Sequence, residues 1–120
     1  MAATLPQPIR GEVWLVDLAP TVGDEMGKVR PVVVANKQHV GRLALRMVVP
    51  LTSWQPHFGQ LDWLVLIPAD VGNGLSADSG ADTFQTRSVS LYRFIRCLGV
   101  VTDQQMQDIA TAIKNNVGAP

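Results

Sequence analysis

The chain has 120 residues, of which 47% are apolar, and this is enough for one globular domain to bury a core without disulfide or metal cross-links. Its formal net charge at pH 7 is zero, so the composition does not indicate the bulk electrostatic binding of nucleic acid that an excess of Lys and Arg would indicate. No basic stretch followed by a long apolar run opens the sequence, and no segment reaches the roughly 18 apolar residues of a membrane span. These features predict a cytoplasmic protein without a membrane anchor.

The charged residues are segregated along the chain even though they cancel in total. Two basic groups contain no acidic residue, and the interval between them is mainly acidic. The basic groups are Lys28, Arg30, Lys37, Arg42 and Arg46, then Arg87, Arg93 and Arg96, and the acids between them are Asp62, Asp70, Asp78 and Asp82. This order is compatible with a basic face on a neutral protein, and it is explained equally well by solvated strand edges and turns.

The first half of the chain alternates apolar runs with turn residues. Residues 1 to 9 hold two prolines and no apolar periodicity, which predicts a flexible leader before a single domain over residues 10 to 120. The run from Gly11 to Leu18 predicts a first strand, followed by a loop of about ten residues. A second strand is predicted to begin at Pro31. Proline has no backbone N–H, and at the first position of a strand this group is not needed for pairing with a neighbouring strand. Leu43 to Leu51 predicts a third strand, with Thr52 and Ser53 just after its end.

The second half predicts three more strands and a helix. Strands are predicted over Trp63 to Ile67, Thr86 to Leu91 and Ile95 to Val101, with a loop from Asp70 to Asp82 between the first two. The last of these strands is nearly continuously apolar, which predicts burial on both faces and makes Cys97 a buried thiol.

One helix is predicted after the last strand. Thr102 and Gln105 fit a capping box at its start, and the apolar stripe on one face is Met106, Ile109, Ala110, Ile113 and Val117. Short strands closed by one C-terminal helix predict a mainly β fold, a small, strongly curved antiparallel barrel of SH3-like type.

Few side chains have the spacing of a known catalytic or metal site. Cys97, His39 and His57 are isolated in sequence, so no metal site is predicted, and no phosphate-binding glycine loop is present. Polar residues instead gather near predicted strand ends and loops. They are Glu25, Lys28, Arg30, Thr52, Ser53, Gln85 and Arg87.

Four segments resemble the MazF/PemK family of toxin endoribonucleases. The longest is residues 10 to 34, RGEVWLVDLAPTVGDEMGKVRPVVV, and the others are Val49 to Ser53, Gly74 to Ser79 and Gln85 to Val89. Their order and spacing are those of the family from Arg10 to the helix. One departure concerns the last segment, because the family commonly has an Asp directly before the Gln and a β-branched aliphatic residue after it. Here those positions hold Phe84 and Thr86.

The resemblance implies a CcdB/PemK-like fold and metal-independent, sequence-specific cleavage of single-stranded RNA by its own 2′-hydroxyl, with no cofactor. By position, Arg30 would stabilise the phosphate charge and Thr52 would donate from its hydroxyl. Glu25 would act as a base or hold Arg30, or it only orders its loop. The residues expected to bind RNA are Lys28, Ser53, Trp54, His57, Gln85 and Arg87. His57 is also a chemically suitable base, and for Trp54 a place in the core or a dimer interface is favoured over RNA binding.

The resemblance also implies partners: messenger RNA, a MazE-like antitoxin with an acidic, partly disordered tail, and a second copy in a homodimer. Two alternatives remain at this stage. A CcdB-like toxin binds DNA gyrase without cutting RNA, but that group needs a C-terminal Trp-Gly-Ile, and this chain ends in Val-Gly-Ala-Pro. A non-catalytic SH3-like binding module would not need Arg30 or Thr52.

Overall fold

A computed structural model describes residues 4–120, so the first three residues of the predicted leader lie outside the described residues. The described chain consists mainly of β-strands followed by one α-helix. The strands are β1 (Glu12–Asp17), β2 (Val29–Val34), β3 (Leu45–Ser53), β4 (Leu64–Ile67), β5 (Ser79–Asp82), β6 (Arg87–Ser90) and β7 (Phe94–Val100), and the helix is α1 (Asp103–Asn116). Short 3₁₀ helices cover Pro56–Gln60, Thr83–Gln85 and Leu91–Arg93.

The strands form one antiparallel sheet in the order β4-β5-β3-β2-β1-β7, with β6 paired to the first half of β3. The predicted fold class, a mainly antiparallel β protein with a C-terminal helix, is confirmed. Over residues 4–120, β4 and β7 have no ladder with each other, so the sheet stays open and is not a closed barrel. β3 belongs to both halves of the sheet, because it pairs with β2 and β6 over its first part and with β5 at its end.

The sheet buries a separate apolar cluster on each face. One cluster includes Val33, Leu51 and Ile109 and lies between the sheet and α1. The other includes Val16, Val34 and Val89 on the opposite face. Burying apolar side chains on both faces explains why the central strands are rich in valine, since β-branched residues pack well on a pleated surface.

β2 begins two residues earlier than predicted, at Val29 instead of Pro31. Pro31 faces Leu15 of β1, whereas the ladder between β2 and β3 starts only at Val32 and Pro50. The proline therefore lies where one side of β2 has no ladder, a position at which a missing N–H is tolerated.

β3 begins at Leu45 instead of Leu43, and it runs two residues past the predicted end at Leu51, to Ser53, because its end pairs with a strand that the sequence did not predict. That strand is β5, which lies inside the predicted loop from Asp70 to Asp82. Its sequence, Ser-Gly-Ala-Asp, has none of the β-branched or aromatic residues that indicate a strand. The consequence for the site is that Thr52 lies within a ladder, opposite Gly80, and not in a loop.

The prediction that β7 is buried on both faces is wrong, and so is the prediction that Cys97 is buried. Among the strands of residues 4–120, β7 pairs with β1 alone and lies at an edge of the sheet, and Cys97 is exposed. Ile95 and Val100 are 53% and 54% exposed. A continuous apolar run does not distinguish a central strand from an edge strand whose outer face is uncovered.

The predicted capping box of α1 is confirmed: Gln105 N–H donates to Thr102 Oγ1, and Thr102 N–H donates to the Gln105 side chain. Met106 and Ile109 are buried as predicted, but Val117 lies beyond the helix and is 76% exposed. In the described residues, the only α-helix is too short and too polar to cross a membrane.

The segment before β1 makes specific contacts with β3. Pro8 is buried, and its carbonyl oxygen accepts a 2.8 Å hydrogen bond from Nε of Arg46. The Arg46 side chain is only 5% exposed, and it also donates to the carbonyl oxygens of Leu43 and Leu45. Arg46 therefore does not contribute to a basic face. The division into a leader and a domain at residue 10 remains a prediction.

Candidate active site

A concave cavity of about 480 Å³ lies where β2, the end of β3, β7 and the loop before β5 meet. Three of the predicted site residues line it together: Arg30, Thr52 and Ser53. The far wall is formed by the loop of residues 74 to 77 and by Arg96 of β7. Side chains that are more than 20 residues apart in sequence are thus brought to one hollow by the pairing of the strands.

Arg30 is fixed in this cavity by backbone oxygens and not by an acidic side chain. Its Nε donates to Gly27 O at 2.9 Å, and its Nη1 donates to Leu51 O at 3.4 Å. Both acceptors lie on segments that adjoin the cavity, and the Nη2 group makes no hydrogen bond to another described residue. Since a guanidinium has five N–H donors, Arg30 keeps donors and its full charge for a ligand.

Thr52 and Ser53 are positioned by the ladder between β3 and β5, where they face Gly80 and Ser79. Thr52 is half-buried, and its hydroxyl makes no hydrogen bond to another residue of the described chain. Ser79 instead donates its hydroxyl to Ala77 O at 3.0 Å, which ties β5 to the cavity loop. The ladder therefore presents a rigid backbone with available hydroxyl groups beside the Arg30 guanidinium.

Together these groups suit the binding of an anion. The cavity lining contains two guanidinium groups, Arg30 and Arg96, and four hydroxyl side chains, and it has no carboxylate. A cation and hydroxyl donors in a partly enclosed site stabilise charge that develops on a phosphate more strongly than they would in bulk water. Among residues 4–120, no group of three or more His, Cys, Asp or Glu side chains is arranged to hold a metal ion.

Glu25 and Gln85 do not line the cavity but order the loop between β1 and β2. Glu25 accepts the Val22 N–H within the loop at 2.8 Å. The Gln85 side chain reaches across from the other half of the molecule, where its Oε1 accepts the Met26 N–H at 3.1 Å and its Nε2 donates to Asp24 O at 3.0 Å. This loop leads directly into Gly27 and Arg30, so the loop links Gln85 to the cavity.

The other predicted RNA-binding residues also lie outside the cavity lining. Lys28 is exposed and adopts a positive φ of 67°, and Arg87 donates to Leu18 O at 3.2 Å. Trp54 packs edge-to-face on Phe58, with ring centroids 5.5 Å apart, and His57 packs on the same phenyl ring at 4.8 Å. These aromatic side chains form one cluster beside the end of β3, and their RNA contacts remain a prediction.

The acidic residue nearest in sequence to the position of the family's missing Asp is Asp82. Its side chain caps the 3₁₀ helix Thr83–Gln85 by accepting the Phe84 N–H at 3.2 Å. Burial raises the pKa of Asp82, while the backbone N–H groups of Phe84 and Gln85 act in the opposite direction. Phe84 is 70% exposed and contacts Trp63 edge-to-face. The departure therefore places an aromatic ring on the surface next to Gln85.

Sequence reasoning missed three cavity residues: Arg96, Ser76 and Ser79. Arg96 belongs to the second basic group, but its strand was predicted to be buried on both faces. The two serines lie in the segment predicted to be a loop, where serine is common for reasons of turn geometry. Only the pairing of β5 with the end of β3 brings them to Thr52.

The fold defines a class of protein. MazF from Deinococcus radiodurans has the same architecture, with a TM-score of 0.75 at 22% sequence identity over 92% of this chain and 96% of that one. The Mycobacterium tuberculosis toxin MazF-mt6 gives a TM-score of 0.72 at 24% identity, over 91% of this chain and 98% of that chain. A mycobacterial structure described as an endoribonuclease in complex with its cognate antitoxin gives 0.71 at 20% identity, over 95% and 98%.

The sequence match is specific as well. Endoribonuclease MazF9 of Mycobacterium tuberculosis is 31% identical over 111 residues, which is 88% of this chain and 92% of that protein. Endoribonuclease EndoA of Bacillus subtilis is 30% identical over 105 residues, 88% of this chain and 90% of EndoA. Residues 9–117 match the family described as PemK-like, MazF-like toxins of type II toxin-antitoxin systems, and the chain belongs to that family.

Proposed function

We propose that the cavity around Arg30 and Thr52 cleaves single-stranded messenger RNA at a specific sequence without a metal ion. The chain is a toxin endoribonuclease of a type II toxin-antitoxin system, as its family and its named relatives indicate. Beyond this family activity, we propose how the RNA is cleaved and which residues take part. The 2′-hydroxyl of the RNA attacks the adjacent phosphorus, the bond to the 5′-oxygen of the next nucleotide breaks, and the products are a 2′,3′-cyclic phosphate and a 5′-hydroxyl.

One observation carries the assignment of the site: the Arg30 guanidinium is hydrogen-bonded to Leu51 O, directly beside Thr52. The attacked phosphate gains negative charge in the transition state, and a fixed cation with hydroxyl donors stabilises that charge. Because backbone oxygens already hold Arg30, little reorganisation is needed when RNA binds. In this assignment Arg30 binds the phosphate oxygens, and the Thr52 hydroxyl donates to the same phosphate or orients the attacking group.

The attack also needs a group that accepts the 2′-hydroxyl proton. We propose Glu25 as this base or as the residue that orders the loop leading to Arg30. Its hydrogen bond to the Val22 N–H supports the ordering role. We propose that Ser53, Lys28 and Arg87 contact RNA near the cavity. Gln85, Trp54 and His57 would then set the sequence preference, Gln85 through the loop that it holds.

The test incubates the purified protein with a long single-stranded RNA in buffer with EDTA. The 5′ ends of the products are then mapped by adapter ligation with and without prior phosphorylation, because a 5′-hydroxyl end is ligated only after it has been phosphorylated. Cleavage at a recurring sequence that leaves 5′-hydroxyl ends is expected, and Arg30→Ala and Thr52→Ala should each lower the rate by about 100-fold. Arg42→Ala and Thr111→Ala are matched controls, because both residues are exposed and lie outside the cavity. Uncut RNA, or equal cutting by all four variants, contradicts the proposal.

We also propose that the chain forms a homodimer. Two neighbouring hollows share Met47: one is lined by Leu43 and Leu45, the other by Phe84 and Val117. All five side chains are at least 41% exposed, and such a continuous apolar surface is typical of an interface.

Light scattering is expected to give the mass of a dimer, and Met47→Glu should give a monomer. The control is Val71→Glu, an apolar residue that is fully exposed elsewhere. A monomeric wild-type protein would refute the dimer.

A MazE-like antitoxin is the second proposed partner. An acidic, flexible tail would complement a cavity whose lining has two arginines and no carboxylate. A cytoplasmic location follows from this proposal, since both messenger RNA and the antitoxin would have to reach the protein there. The gyrase-binding and non-catalytic alternatives are not favoured, because the family match covers nearly the whole chain and its relatives are endoribonucleases by name.

A further inference from the structure

We propose that Arg96, on the edge strand β7, binds a second RNA phosphate next to the one at Arg30. The inference rests on the proposed function and extends the site to a strand that the reaction itself does not require. Arg96 lines the same cavity as Arg30, its side chain is exposed, and it makes no hydrogen bond or ion pair with another residue of the described chain. A guanidinium in this situation retains all five donors for a ligand.

The other arginines of the same basic group do not have this freedom. Arg87 donates to Leu18 O at 3.2 Å, and Arg93 donates to Asp17 O at 3.1 Å and also to Ala19 O. Both of them bind the end of β1 or the residues just after it, and both are absent from the cavity lining. Arg96 is therefore the member of this group whose charge faces the site.

An irregularity in the ladder turns Arg96 toward the cavity. Phe94 lies opposite Val16, but Arg96 lies opposite Leu15, with a register shift at Ile95 between them. In a regular strand, residues two apart point to the same face, so Arg96 would follow Phe94 into the second apolar cluster. The extra residue reverses this and places Arg96 on the Leu15 face. Bulges that re-aim one side chain are frequent beside active sites.

The sheet also sets the separation between the two cationic positions. Arg96, Leu15 and Pro31 lie opposite one another in successive strands, and Pro31 directly follows Arg30. Adjacent strands are about 4.8 Å apart, so the backbone of Arg96 lies about 10 Å from that of Pro31. A short stretch of extended single-stranded RNA can cover this span, with one phosphate at each of the two arginines.

Backbone phosphates suit these surroundings better than bases do. Besides the two arginines, the polar side chains of the lining are hydroxyls, including Ser53 and Ser76, and no aromatic ring lines the cavity on which a base could stack. The lining carries two positive side chains and no negative one, although the whole chain has a formal net charge of zero. Arg96 is thus expected to contribute affinity for any sequence, and not to select one.

Salt dependence of binding tests this directly. The probe is a fluorescent pool of mixed-sequence, 2′-fluoro single-stranded RNA, which keeps the phosphates but has no attacking hydroxyl. Loss of one phosphate contact lowers the slope of log K against log salt concentration by about 0.7 and the affinity at 0.1 M salt by about fivefold. Arg96→Gln should show both changes, Arg96→Lys should restore most of the slope, and Arg42→Gln should resemble wild type.

An unchanged slope in Arg96→Gln would overturn the inference. So would an Arg96→Gln variant that loses affinity for a synthetic Glu-rich peptide but keeps normal RNA binding, because the contact would then belong to a protein partner. The proposed function is judged separately, by cleavage of natural RNA in EDTA. Wild-type protein that cuts RNA while Arg96→Gln binds the 2′-fluoro pool normally refutes only the role of Arg96.

Discussion

Nη1 of Arg30 lies 3.4 Å from the carbonyl oxygen of Leu51. This hydrogen bond joins the first residues of β2 to the end of β3, which pairs with β5 and no longer with β2. The position of the guanidinium relative to Thr52 is thus set by backbone atoms of two strands. The role of an arginine held in this way depends on the planar geometry of its guanidinium group as well as on its charge.

Arg30→Lys separates these two properties. Lysine keeps the positive charge, but its single ammonium group cannot reproduce the bonds that Nε and Nη1 make to Gly27 O and Leu51 O. We expect kcat for RNA cleavage to fall by about 100-fold, because the cation is no longer fixed at the phosphate, while KM changes little. Steady-state kinetics on an RNA with one mapped cleavage site measure both. Arg42→Lys serves as the control, and a wild-type kcat in Arg30→Lys would show that charge alone suffices.

Gln85 is expected to hold the loop between β1 and β2 and not to contact RNA bases directly. Gln85→Ala removes both bonds to the loop, whereas Gln85→Glu retains an acceptor for the Met26 N–H and loses the donor to Asp24 O. Each lost bond should lower stability by about 1 kcal/mol. Hydrogen exchange should show faster exchange of the Met26 amide in Gln85→Ala than in Gln85→Glu. An altered cleavage sequence with unchanged Met26 exchange would instead point to direct reading of bases.

The sequence alone predicted much of the fold because its main signals are local. The valine-rich strands, the proline and glycine positions between them, and the Thr102 capping box depend on neighbouring residues. The missed strand β5 depends on partners far away in sequence: Ser79 to Asp82 form a strand only because β3 and β4 lie on either side of them. Burial of β7 was mispredicted for the same reason, since sheet order is not a local property.

The same difference between local signals and distant partners separates the site residues that were predicted from those that were missed. Arg30 and Thr52 were predicted from family resemblance, and the structure brings them together in one cavity. Arg96 was missed because its orientation depends on a ladder irregularity opposite β1, which no residue pattern in β7 reveals. Gln85 was predicted to bind RNA, and its bonds to the loop became visible only with contacts across 59 and 61 residues.

Gly99 is expected to be essential for the cavity wall. A Cβ at this position would overlap the carbonyl oxygen of Gly72, and that backbone atom is held because it accepts the Val100 N–H at 2.9 Å. Gly99→Ala should therefore push the loop before β5 away from β7 and lower the free energy of unfolding by about 1–3 kcal/mol. Chemical denaturation measures this. The control is Gly59→Ala, where the added methyl meets no atom within 4 Å and a change within about 0.5 kcal/mol is expected. Equal stability of both variants would contradict the close packing of this loop on β7.

Cys97 is exposed, yet its thiol is expected to react slowly. Partial burial raises the pKa of Cys97, and the negative charge of Glu12, whose Oε2 lies 3.9 Å from Sγ, raises it further. A higher pKa leaves less thiolate at a given pH, and the thiolate is the reacting species. The pH–rate profile for a disulfide reagent should therefore have its midpoint above that of an unperturbed cysteine.

Glu12→Gln isolates the charge effect, because an amide oxygen can still accept the Trp14 Nε1 and Ile9 N–H bonds now made by Glu12 Oε1. Without the carboxylate charge the pKa of Cys97 should fall, so the midpoint moves to lower pH and the thiol reacts faster at pH 8. The chain has a single cysteine, so Cys97→Ser gives the background. An identical midpoint in Glu12→Gln would mean that burial alone controls this thiol.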